Sequence, residues 1–179
     1  MAPQSANMRA PMRVALCQFD QIWEDAAANR ARIAALVGAC AEPFDWLVFP
    51  EMTLSAFTMD RAKATLTLTP EDHRFFAELA RERRAWLSYG GVQDGFNELF
   101  TIDREGTLAN DYAKQHLYSF AGEDQAFRAG TRQATFELEG FRVTPAICFD
   151  LRFPHLFWDA AQATDVYVVI ASWPAKRAE

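Results

Sequence analysis

An α/β fold, with mixed sheet layered against helices, is what this sequence predicts, and three observations carry the prediction. Short apolar runs alternate with helical stretches through the first half of the chain. Two turn signals, Arg104-Glu105-Gly106 and Glu139-Gly140, then introduce hairpins in the second half. Half of the 179 residues are hydrophobic and 13% are aromatic, which suffices for one domain with a packed core. Alternation followed by hairpins favours mixed over purely parallel sheets.

The elements follow in order. Residues 13–19 read as a buried strand through Val14, Ala15, Leu16 and Cys17. Residues 24–41 are alanine-rich, with Ile33, Leu36, Val37 and Cys40 at helical spacing. Residues 46–49 form a short apolar strand that Pro50 stops. Thr69-Pro70-Glu71-Asp72 combines a capping hydroxyl, a first-turn proline and acids at the positive end of a helix. Phe75, Phe76, Leu79 and Ala80 continue the apolar face of that helix. Residues 86–92 return as a strand in which Gly90 and Gly91 admit close backbone approach. Strands at 99–103 and 107–112 form the first hairpin, and 133–138 with 141–148 the second. A helix over 153–163 and a β-branched strand over 165–171 complete the series. Residues 1–12 read as a flexible tail ahead of one domain at 13–179.

Composition excludes several functions. Eighteen basic and 24 acidic residues give a net charge of −6. The densest basic stretch, Arg81-Glu82-Arg83-Arg84, reads as a solvated helix face. Nucleic acid and membrane are therefore excluded as partners. Three sparse cysteines make no disulfide framework and fit a reducing, cytoplasmic setting. No apolar run reaches the roughly 20 residues that cross a bilayer. His73, His116 and His155 show no metal-ligand spacing, and no glycine-rich phosphate loop follows a strand, so neither metal nor cofactor is expected.

Chemistry gathers at strand ends. Cys148 closes an apolar strand and is followed by Asp150, Arg152 and Pro154. A thiol at such a turn can be presented to a substrate, and the turn can lower its pKa; the alternative is a small buried hydrophobe. Glu51 directly follows the strand at 46–49, Lys114 follows the strand at 107–112, and Glu123 lies in an acidic, irregular stretch. Taken singly, each reads first as an ordinary loop charge.

Taken in order, Phe49-Pro50-Glu51, Tyr112-Ala113-Lys114-Gln115-His116-Leu117 and Ile147-Cys148-Phe149-Asp150-Leu151-Arg152-Phe153-Pro154 resemble the signatures of the nitrilase superfamily, the carbon–nitrogen hydrolases. The strand Val14 to Gln18 and the hairpin of Asn97 match as well. The resemblance implies an α-β-β-α sandwich with mixed sheets, its C-terminal part missing, because family domains continue well past the strand at 165–171. It implies a Glu51–Lys114–Cys148 triad with Glu123 as a second glutamate of the site. Cys148 would attack an amide carbonyl and Glu51 would shuttle protons. Lys114 and the Phe149 N–H would stabilise the oxyanion. Glu123 would hold Lys114 or orient the substrate amide. No cofactor is required. A cysteine–histidine mechanism, with His116 or His155 as base, is the competing chemistry.

Among branches of the superfamily the chain looks most like the omega-amidases. These release ammonia from the terminal amide of small carboxylate-bearing substrates such as 2-oxoglutaramate, through a cysteine thioester. Arg152 would then bind the distal carboxylate or pair with Asp150, and Trp173 would wall the pocket or serve the core. Family members usually form homodimers. The strand at 165–171 is expected to leave an apolar sheet edge. The alternative function is a truncated, inactive or partner-dependent remnant acting as an interaction protein.

Overall fold

The computed structural model describes residues 10–66 and 69–173. Most of the tail expected at 1–12, and residues 174–179, lie outside them.

The first sheet has five strands in chain order: β1 (Val14–Leu16), β2 (Trp46–Val48), β3 (Trp86–Gln93), β4 (Phe96–Ile102) and β5 (Leu108–Ala113). β1, β2 and β3 are parallel, while β3, β4 and β5 form an antiparallel meander. The second sheet has the order β6 (Phe136–Leu138), β7 (Phe141–Ile147), β8 (Val166–Ile170). β6 pairs antiparallel and β8 parallel with β7. Both sheets are mixed, as the sequence predicts.

Strand periodicity divides the first sheet's side chains between two cores. Leu47, Phe49, Leu87, Tyr89, Phe100 and Ile102 face the helices α1 (Ala26–Ala39) and α3 (Pro70–Arg83). Ile33, Val37, Phe76, Leu79 and Ala80 fill that layer from the helix side. The Phe76 and Tyr89 rings stack with centroids 3.9 Å apart. Trp46, Val48, Leu99 and Tyr112 point the other way, onto Leu138, Val143, Ile147, Val168 and Ile170 of the second sheet. α5 (Pro154–Ala160) covers the outer face of that sheet, where the Tyr167 hydroxyl donates to the Phe157 carbonyl. The layers run α-β-β-α.

Local chemistry sets the boundaries. Asp25 caps α1 by accepting from the Ala28 N–H at 2.9 Å. Thr69 and Asp72 form a reciprocal capping box on α3, and buried Asp72 also takes Arg30 from α1. Pro145 lies beyond the last β6 pair, Phe136↔Val143, where a missing N–H costs that ladder nothing.

The structure adds elements the periodicity did not disclose. α2 (Arg61–Leu66) is too short to show a helical repeat. α4 (Glu123–Ala126) is one helical turn in the stretch read as irregular. The hairpin of Asn97, expected from the family resemblance, joins β3 to β4 through Asp94 and Gly95, both left-handed (φ 51° and 81°). The Asp-Gly pair is a standard signal for that turn. Among the described residues β8 is the outer strand of its sheet, with Val166, Tyr167 and Val169 half-buried.

Candidate active site

The two sheets present strand ends side by side. Glu51 follows β2, Lys114 follows β5 and Asn97 lies on β4, all from the first sheet. Cys148 follows β7 and Ser172 follows β8, both from the second. Glu123 opens α4, which the left-handed Gly122 (φ 77°) introduces. Glu51, Asn97, Lys114 and Glu123 are all at 0% exposure, whereas Cys148 retains 8%.

Two glycines permit this convergence. A Cβ on Gly90 would stand 2.6 Å from the Met52 nitrogen and 2.9 Å from the Glu51 Cα, so the Glu51 turn lies against bare backbone. A Cβ on Gly130 would stand 2.2 Å from the Ala113 carbonyl oxygen, and the Gly130 N–H donates to the Lys114 carbonyl at 2.7 Å. The strand-end turns are tight. Met52 and Cys148 are both left-handed without being glycine (φ 45° and 47°), at a cost of about 1–3 kcal/mol each. Around Cys148, Asp150 holds the turn. Its buried carboxylate accepts from the Ile147 N–H (3.0 Å), the Tyr112 hydroxyl (2.9 Å) and the His116 N–H (2.8 Å), and it contacts the His116 ring at 3.1 Å. One carboxylate thus ties the Cys148 turn of the second sheet to the Lys114 strand of the first.

The charged cluster is closely bonded. Lys114 Nζ lies 2.9 Å from Glu51 Oε1 and 3.0 and 2.8 Å from the two oxygens of Glu123. Asn97 Nδ2 donates to Glu51 Oε1 and to Glu123 Oε1, both at 2.8 Å. The Ser172 N–H donates to Glu51 Oε2 at 3.0 Å, and the Tyr118 N–H to Glu123 Oε2 at 2.6 Å. The two carboxylates therefore differ. Each oxygen of Glu123 accepts two of these hydrogen bonds, which fills its two lone pairs. Glu51 Oε1 is filled in the same way, but Oε2 takes only the Ser172 N–H from this set, leaving capacity for a proton.

Electrostatics sharpen the difference. Burial pulls the Lys114 ammonium down, but Glu51 and Glu123 outweigh it and the net shift is up, to about 12. Lys114 is a fixed cation. Burial, then the neighbouring Glu51 charge, push the Cys148 thiol up to about 12, with Lys114 pulling the other way and a hydrogen bond to Glu51 adding to the rise. This corrects the expectation that the turn lowers the thiol pKa: its geometry is a short 3₁₀ turn, and desolvation beside a carboxylate dominates. Cys148 rests as a thiol against a base.

A cavity of about 100 Å³ opens onto the sulfur. Phe57, Tyr118, Ala121, Phe149 and Trp173 wall it, and Cys148 and Ser172 line it as well. The Lys114 ammonium lies 5.3 Å from the centre of the Phe57 ring. Arg152 is exposed, with its guanidinium 5.6 Å from the centre of the Trp173 ring. The Arg152–Asp150 pair considered from the sequence does not form, because Tyr112, His116 and Ile147 occupy Asp150. His116 is committed to Asp150 and stacks on Phe153 at 3.6 Å. Neither His116 nor His155 lines the cavity. All four charged or nucleophilic candidates converge, and Phe149 and Trp173 border the space they share. Asn97 and Ser172 join the cluster without having been singled out. A polar residue inside an otherwise apolar strand was the available signal for Asn97; Ser172 acts through its backbone, which no side-chain pattern reveals.

The fold agrees with what similarity to known proteins shows. Residues 13–178 match the carbon-nitrogen hydrolase family, and the chain belongs to that family. It is 32% identical to the omega-amidase YafV of Yersinia enterocolitica, over 94% of this chain and 66% of that protein. It is equally 32% identical to the 2-oxoglutaramate amidase of Paenarthrobacter nicotinovorans, over 96% of this chain and 64% of that one. The chain thus spans just under two thirds of the length of these relatives. Among solved structures, a CN-hydrolase superfamily protein from Xanthomonas campestris with an arsenic adduct in its active site superposes with a TM-score of 0.82 at 29% identity, covering 93% of this chain and 67% of that one. A mutant of the Nesterenkonia AN1 amidase, of the nitrilase superfamily, shares the fold at TM-score 0.81 and 20% identity, covering 93% and 67% of the respective chains.

Proposed function

We propose that this chain hydrolyses the terminal carboxamide of a small carboxylate-bearing substrate, of the 2-oxoglutaramate type, with Cys148, Glu51, Lys114 and Glu123 as its catalytic group. The observation that carries the reading is the Cys148 thiol on a small cavity shared with Ser172, whose N–H donates to buried Glu51, itself bonded to the buried Lys114 ammonium. As sulfur attacks the amide carbonyl, the thiol proton passes to Glu51 and the carbonyl electron pair moves onto oxygen. The tetrahedral oxyanion collapses to a thioester while Glu51 returns the proton to the departing nitrogen, so that ammonia leaves. Water then attacks the thioester. Glu51 takes its proton and delivers it to the leaving thiolate, releasing the carboxylic acid. Lys114 and the Phe149 N–H stabilise the oxyanion at each tetrahedral stage. At rest the three hydrogens of Lys114 serve Glu51 and both oxygens of Glu123, so the cation reaches the substrate by releasing one of its two bonds to Glu123.

Selectivity is supported by the small aromatic cavity and by Arg152 stacked near its Trp173 wall, where a guanidinium suits a distal carboxylate. The named activities of the omega-amidase relatives support the same substrate class. Half-buried Cys17 and Cys40 are free thiols, which supports a cytoplasmic setting. Among the described residues no helix is long and apolar enough to cross a membrane. The exposed Trp158 of α5 supports self-association, as in a homodimer. The deciding experiment measures ammonia release from 2-oxoglutaramate beside a simple aliphatic amide, with Cys148→Ala in parallel. Preferential turnover that vanishes in the variant is expected. No preference for 2-oxoglutaramate overturns the substrate class, and no Cys148-dependent ammonia from either amide overturns the hydrolase reading.

A further inference from the structure

Asn97 stands between two carboxylates that share one cation. Two glutamates and one lysine, each with no exposed surface, leave a net negative charge, and like charges in such a buried place repel strongly. The Asn97 amide gives one hydrogen to Glu51 Oε1 and the other to Glu123 Oε1, each at 2.8 Å. Both partners are acceptors, so the nitrogen of the amide is unambiguously the atom facing them. Its own carbonyl accepts the Lys114 N–H at 2.9 Å, which joins the same residue to the third member of the cluster. The side-chain Oδ1, also buried, has no partner among the described residues. An apolar side chain of this size would avoid that cost, so the value of Asn97 lies in its two donors.

We propose that Asn97 is a positioning residue for the reaction: it fills Oε1 of Glu51 together with Lys114, holds that carboxylate apart from Glu123, and leaves Oε2 as the oxygen that exchanges a proton with sulfur. The inference rests on the assignment of Glu51 as the base. The charged and titratable groups facing Glu51 are Lys114 from the end of β5, Glu123 from α4 and Cys148 from the end of β7. The backbone N–H of Ser172 completes its surroundings, and Gln21 holds the Glu51 main chain through its carbonyl at 3.2 Å. Removing Asn97 deletes a donor to the ionised carboxylate and exposes Glu51 to the charge of Glu123. Both changes disfavour ionisation, so the base would act only at higher pH.

The test uses Asn97→Leu, which keeps the volume without donors, and Asn97→Asp, which keeps the shape but replaces the donor by an acceptor. Two readouts are followed against pH: ammonia release from 2-oxoglutaramate and the alkylation rate of Cys148 by iodoacetamide. Circular dichroism verifies folding. Both variants should lower kcat by about tenfold to a hundredfold, the range expected for one lost bond to a charged group, with little change in KM. The acid limb of both profiles should move up by about one pH unit, and Asn97→Asp should be the more impaired. If Asn97→Leu does not fold, Asn97→Ser, a smaller residue with a single hydroxyl, takes its place with the same readouts. A folded variant with unshifted profiles, or an Asn97→Asp variant close to wild type, overturns the proposal. Alkylation needs no amide turnover, so wild-type protein that labels Cys148 yet releases no ammonia would sink the functional reading while this inference is still decided by the labelling profile.

Discussion

The first sheet and the second sheet contribute opposite kinds of chemistry to one seam. From the first come the ionic groups, Glu51, Lys114 and Asn97, all at 0% exposure and mutually hydrogen-bonded. From the second come the Cys148 sulfur, which borders the cavity, and the Ser172 backbone N–H. The middle of the five-stranded sheet is covered by α1 and α3, and both sheets end on uncovered strands: β1, where Leu16 is 76% exposed, and β8, where Val166 and Val169 are half-buried. The contrast teaches where rigidity is needed. A buried carboxylate–ammonium cluster has no solvent to screen errors in placement, so its members are held to one another by direct hydrogen bonds. The nucleophile needs access and sits on the lip. Asp150 bridges the two, linked to Ile147 on one side and to Tyr112 and His116 on the other.

Breaking the ionic half should have the largest effect. Lys114→Met leaves Glu51 and Glu123 facing each other without a counter-charge, and chemical denaturation at neutral pH should show a loss of about 3–5 kcal/mol. An unchanged midpoint would mean that the lysine does not anchor this half. Cutting the bridge comes next. Asp150→Asn keeps the shape but turns one acceptor into a donor that faces existing donors, at about 1–3 kcal/mol. Because the change separates sulfur from cation, Cys148 alkylation should slow while far-ultraviolet circular dichroism is retained. Alkylation at the wild-type rate would deny Asp150 its bridging role.

The smallest effect lies on the nucleophile side. The folded thiol at about 12 and the Lys114 ammonium at about 12 both lie above their ordinary values of 9.0 and 10.5. Each group therefore stays protonated in the folded state where the unfolded chain has begun to lose its proton. The stabilisation is complete below the ordinary value and is lost as pH rises toward 12. Thermal unfolding followed from pH 8 to 11 should show declining stability. Cys148→Ala should remove one proton from that slope above pH 9, and an identical slope in the variant would contradict the raised thiol.

Much of this was legible beforehand because it is local. The capping box of Thr69 and Asp72, the apolar run of Trp46 to Phe49 and the Glu139-Gly140 turn all depend on neighbours a few residues away. α2 and α4 were not legible, since one or two turns carry too little periodicity to register. Glu51, Lys114 and Cys148 were found through three ordered motifs and Glu123 through a separate, shorter match, and the structure brings the four together.

The sequence alone therefore determined which side chains stand at strand ends, because apolar runs, prolines and glycines dictate where strands stop. Only the tertiary structure decided what those side chains experience. Cys148 is raised rather than lowered because burial and Glu51 act on it across the seam. Asp150 is taken by Tyr112 and His116 rather than by Arg152, two residues along the chain. Asn97 and Ser172 reach Glu51 from 46 and 121 residues away. Desolvation and hydrogen-bond geometry are properties of the packed sheets, and no short-range pattern in the chain encodes them.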